Sequence, residues 1–225
     1  MKEIESLIEL TNERLEKNSR EIEILVKLNQ EYNVFKTHCI ENKIDYEIID
    51  SFLNIINFRL FLNFLRGDLC SALNSYNKAK TTYESRFSTR NFVVIINEGL
   101  KKIYNFTSFN DDLSINETQR NKSFWIKDLK PLVYVTYNEL IPEFENITTR
   151  LNIYLENDFQ QIKKYRDLSI HYDKDALEIF WMIVKIEYSV IEKYALGFLD
   201  ITNRMVNITE DLLEIVKNEI NIKYS

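Results

Sequence analysis

Apolar residues at Ile4, Leu7, Ile8, Ile22, Leu25, Val26, Tyr32 and Phe35 recur at spacings of three and four, which predicts a helix over residues 2–42. The polar run EKNSRE at 16–21 is a candidate interruption of it. ENKIDYE then makes a polar break, with Asp45 as the expected N-cap of the next helix. That helix, YEIIDSFLNIINFRLFLNFLRGDLCSALNSYNKA, carries apolar positions around most of its circumference between 52 and 65, so it should lie at the centre of a bundle. Asp50, Arg59, Arg66 and Asp68 break the run of about 20 apolar residues that a membrane span requires. A third helix follows over KTTYESRFSTRNFVVIINEGLKKIYNF and could run on from the second through 78–85. Gly99 inside it predicts close packing on a neighbouring helix. Residues 107–122 are the most loop-like stretch. Helical periodicity resumes near Ser123, with Pro131 and Pro142 at helix starts or kinks. A last helix is expected over roughly 175–220, its seam including Phe180, Ile183, Val184, Ile186, Val190, Ile191, Tyr194, Phe198 and Ile201. The pattern predicts one all-α, up-and-down bundle of about five or six helices spanning 1–225. Residues 1–45 are a candidate N-terminal helical extension and 46–225 the bundle proper.

Composition sharpens this picture. Three glycines and two prolines in 225 residues leave little material for hairpins or phosphate-cradling loops, and no nucleotide-binding glycine motif or nucleophile elbow is present. A formal charge of −6 gives no general attraction for nucleic acid, so any such contact needs a local basic patch. MKEIESLIEL is charged and amphipathic, unlike a secretory leader, and a cytoplasmic location with Cys39 and Cys70 as reduced, buried thiols is expected. His38 beside Cys39 lacks further ligands at metal-binding spacing, which favours a surface histidine and no metal. No cofactor and no membrane partner is expected. Arg86, Arg90, Lys101 and Lys102 could form a basic stripe, although a solvated helix face is the commoner explanation.

The candidate chemistry sits in KKYRDLSIHYDKDALEIF, residues 163–180. Arg166 and His171 are five residues apart, about 140° of rotation on a continuous helix, so they converge only if the helix ends between them or if they meet copies from a second chain. Asp173 and Asp175 are good N-caps, and Asp175 with Glu178 has capping-box spacing, which places Arg166 on the last turn of one helix and His171 in the tight corner before the next. An arginine offers a fixed cation with a planar fork for phosphate oxygens, and a histidine moves protons near neutral pH. Together they could cleave RNA without a metal: His171 would activate the 2′-hydroxyl or protonate the leaving oxygen, and Arg166 would stabilise charge on the phosphate. Asp167 could orient either group, and Lys163 and Lys164 would add positive charge for the substrate. From spacing alone, a polar helix corner with a solvated or capping histidine is the commoner explanation.

RDLSIH resembles the R-x4-6-H motif of HEPN domains, including the polar residue that commonly follows the arginine, here Asp167. The resemblance covers this motif and its setting between two long helices. It implies a helical-bundle homodimer with two motifs facing across a cleft, metal-independent endoribonuclease activity with Arg166 and His171 catalytic and Asp167 assisting, and a role in toxin–antitoxin or phage-defence systems, where an antitoxin or regulatory protein is a partner. In one HEPN subgroup the motif continues to a tyrosine that a partner nucleotidyltransferase modifies; Asp173 stands at that position here. Some HEPN domains are inactive, which leaves a second reading: a non-catalytic helical module that dimerises or binds a protein or ligand. Arg166 and His171 buried in ion pairs within the chain would favour the second reading. Two such pairs around a basic groove would favour the first.

Overall fold

The computed structural model describes residues 2–105, 116–170, 177 and 188–225, and among these the chain is helical throughout, without strands. Eight α-helices are described: α1 (Lys2–Glu41), α2 (Glu47–Asn77), α3 (Thr82–Ile103), α4 (Glu117–Arg120), α5 (Lys130–Val135), α6 (Ile141–Asn157), α7 (Phe159–Ile170) and α8 (Tyr188–Tyr224). Only α4 and α5 are shorter than twelve residues. A wide π-type turn, Trp125–Leu129, leads into α5, and a 3-10 turn, Asn138–Leu140, leads into α6. The break at 136–140 divides a stretch whose periodicity reads as nearly continuous, because Pro131 and Pro142 each take a first-turn position of α5 and α6, where a missing N–H costs nothing.

α2 is the centre. Ile49, Phe52, Ile55, Ile56, Leu62 and Leu69 are buried on several sides of it, and α1, α3 and α8 pack around it. By length and apolar composition α2 is the one described helix that could cross a membrane, but most of that window is covered by the rest of the bundle. The pairings Asn12–Asn74, Asn18–Arg66, Glu21–Arg59 and Lys36–Asp50 run in opposite senses along the two chains, so α1 and α2 are antiparallel. Tyr76 against Phe92 and Gly99 against Leu65 make α3 antiparallel to α2. Glu210 meeting Arg59, with Lys223 meeting Asp45, makes α8 antiparallel to α2 as well.

Three helix boundaries differ from the sequence reading, each for a local reason. EKNSRE does not interrupt α1, because Asn18 and Glu21 turn inward onto arginines of α2. α2 does not run into α3. Thr81 closes a capping box, its hydroxyl accepting from the Glu84 N–H while the Glu84 carboxylate accepts from the Thr81 N–H. At the start of α2 the N-cap position is Tyr46, whose side chain caps nothing; Asp45, one residue earlier, accepts from the Glu47 N–H instead and pairs with Lys223. Gly99 behaves as its position predicts, since a Cβ there would stand 2.6 Å from Leu65 Cδ1 and 3.2 Å from Phe198 Cε1.

Candidate functional site

α7 buries Phe159 and Ile162, and Arg166 follows them at helical spacing, so its side chain leaves the core-facing stripe of the helix. A guanidinium in that position needs partners, and it finds two carboxylates. Arg166 Nη2 donates to Glu98 Oε1 of α3 at 2.5 Å, and Arg166 Nη1 donates to Asp167 Oδ1 at 2.7 Å. The arginine side chain is 20% exposed, and its Nε is buried without a partner among the described residues. Burial works against its charge, but the hydrogen bonds and charges of Glu98 and Asp167 outweigh that and raise its pKa above the ordinary arginine value. Glu98 answers in kind. Burial alone would raise its carboxyl, yet the Arg166 hydrogen bond and the charges of Lys101 and Arg166 hold it below the usual carboxylate range. Lys101 Nζ stands 3.5 Å from the same Glu98 oxygen.

Around this pair Lys163 is half-buried and engaged, while Lys164 is exposed on the other side of α7. The basic stripe proposed for α3 is largely committed: Lys101 to Glu98, and Arg86, Arg90 and Lys102 to contacts of their own. Beside Glu98, Asn97 is fully buried with neither amide atom hydrogen-bonded among the described residues. The structure thus brings Arg166, Asp167 and Glu98 together. α7 continues through Ile170, so any break that lets Arg166 and His171 converge falls after that residue. His171, Asp173, Asp175 and Glu178 lie outside the described residues.

His38 is exposed, with the Asn42 amide against its ring, and Cys39 and Cys70 are buried free thiols. Among the described residues no group of three or more His, Cys, Asp or Glu side chains is placed to hold a metal ion.

A second polar cluster escaped the sequence reading. Arg59 and Arg66, seven residues apart on one face of α2, converge on Glu21 of α1. Arg59 donates through Nε at 3.0 Å and through Nη2 to Glu21 Oε1, while Arg66 Nη2 donates to Oε2 at 2.7 Å. Arg66 Nε donates to Asn18 Oδ1, and Asn18 Nδ2 donates to the Asn63 carbonyl at 2.8 Å. The signal available was two arginines at heptad spacing in an otherwise apolar helix.

Compared with protein-family models, curated proteins and solved structures, the chain matches none.

Proposed function

We propose that this protein is a HEPN-type, metal-independent endoribonuclease acting as a homodimer, with Arg166 as the phosphate-binding cation, His171 as the proton-transfer group and Asp167 as the residue that orients the guanidinium. The reading rests on the RDLSIH motif, and the observation that supports it is the Arg166–Asp167 pair near the end of α7. An arginine emerging from a core stripe, braced by the neighbouring carboxylate, is pre-oriented for the transition-state charge of phosphodiester cleavage. The toxin or phage-defence role belongs to the same reading. Cleavage of RNA in EDTA, abolished by Arg166→Ala and by His171→Ala, is the test; equal cleavage by the wild type and both variants would overturn the assignment.

One observation favours the second reading, a non-catalytic interaction module. Both terminal nitrogens of Arg166 already donate to carboxylates of its own chain, so a phosphate approaching the guanidinium meets the charge of Glu98. Glu98→Gln separates the two readings. It increases cleavage if the pair masks a catalytic arginine, and leaves an inactive protein inactive if the pair is only a brace between α3 and α7.

A further inference from the structure

The groove where α1 lies on α2 and α8 has a charge opposite to that of the protein as a whole. Its main cavity, of about 410 Å³, falls within the range of small-molecule sites. Five cations line it, Lys17, Arg20, Arg59, Arg66 and Lys217, against three carboxylates, Glu21, Glu210 and Glu214. An adjoining hollow of about 260 Å³ shares Lys17, Arg66 and Asn207 and adds Arg14 without adding a carboxylate. Apart from Asn207, the rest of the cavity wall is apolar, built from Ile24, Leu25, Leu28, Phe52, Val206 and Leu213.

The cations differ in how far they are committed. Arg59 is nearly buried, at 6% side-chain exposure, and binds Glu21 and Glu210 through Nε and Nη2. Arg66 uses Nε and Nη2 for Asn18, Glu21 and Asn63. The Nη1 atoms of both arginines have no partner among the described residues, nor are they sealed from solvent. Lys17 and Lys217 make no ion pair among the described residues. Glu210 is the most exposed carboxylate of the network, at 59%, and meets Arg59 at 3.0 Å. It occupies a position that the head group of a ligand could take over.

From this arrangement we infer that the groove between α1, α2 and α8 binds a small, free amphipathic anion: an acyl or aryl carboxylate or phosphate whose head lies on Arg59, Arg66 and Lys17 and whose apolar body lies on Ile24, Leu28 and Leu213. The inference is independent of the Arg166 site. The shape of the site sets its chemistry. A head group alone would leave the apolar wall wet, and an uncharged chain would leave the cations unmatched.

Titration calorimetry with decanoate, decyl phosphate, decanol and acetate tests it on the full chain. Decanoate or decyl phosphate binds, and decanol and acetate bind about tenfold more weakly or not at all. Glu210→Gln, which removes one of the two carboxylates on Arg59, strengthens binding severalfold. Lys17→Gln and Ile24→Asp, both at exposed positions, each weaken it by up to about tenfold while the helical circular-dichroism signal and melting midpoint stay unchanged. Flotation with phosphatidylglycerol vesicles leaves the protein in solution, as a cleft for a free molecule requires. Decanol binding as well as decanoate, binding indifferent to all three variants, or capture by vesicles with no binding of the monomeric anions would each overturn the inference.

Discussion

At the scale of single residues, the contest at both polar clusters is between desolvation and pairing. Glu21 is mostly covered, and burial alone would raise its carboxyl, but Arg59 and Arg66 outweigh that and hold it below the ordinary range. Arg59→Met therefore leaves a covered carboxylate with Arg66 as its remaining guanidinium partner rather than removing a harmless contact, and costs about 2 kcal/mol, read from the urea midpoint. The exposed Glu98 is a different case, and Glu98→Gln changes stability by less than about 1 kcal/mol while uncovering Arg166. The pH dependence follows from the direction of the shifts. The folded carboxyls of Glu21 and Glu98 are depressed, so the stability they contribute is complete above the ordinary glutamate pKa of about 4.3 and is lost as pH falls through their lower folded values. Urea midpoints measured from neutral pH downward should hold until about that pH and then drop, and the drop should be shallower in Arg59→Met. Asp167 was legible as a partner for Arg166 because it is the next residue. Glu98, 68 positions away, was not, and neither was Glu21 as the partner of arginines about 40 positions on.

At the scale of elements, helix phase was legible wherever one apolar face had to be buried. The all-round apolar stretch of α2 marked the centre of the bundle, and Gly99 marked a close crossing. Ends were harder, because propensity carries straight through a boundary that a few hydrogen bonds define. The α2–α3 break was nonetheless written in the chain as Thr81 and Glu84 at capping-box spacing. Thr81→Ala removes one side of that box and lowers stability by about 1 kcal/mol in a thermal or urea melt. EKNSRE misled for the opposite reason: polar residues inside α1 serve partners in another helix, which local pattern does not reveal. At the α3 crossing, Gly99→Leu must displace Leu65 and Phe198 together and destabilises the fold by about 2 kcal/mol or more, read by the same melts.

At the scale of the whole molecule, two polar clusters stand out in an acidic helical bundle: one arginine near the end of α7, braced by carboxylates, and a group of cations in the α1–α2–α8 groove. The fold class was legible in the sequence because few glycines and prolines and an unbroken helical period leave no alternative to a bundle. The site was legible only as a motif, since the carboxylate that closes over Arg166 comes from α3 and is placed by tertiary packing. The central claim is that Arg166 serves phosphodiester cleavage, and the most direct measurement is cleavage of a labelled RNA by purified protein in excess EDTA, for the wild type, Arg166→Ala, His171→Ala and Glu98→Gln side by side. The proposed function predicts cleavage by the wild type, loss of at least about a hundredfold in both alanine variants, and a rate in Glu98→Gln at or above that of the wild type. Cleavage that persists unchanged in Arg166→Ala and His171→Ala, or no cleavage by the wild type and Glu98→Gln alike, would contradict it.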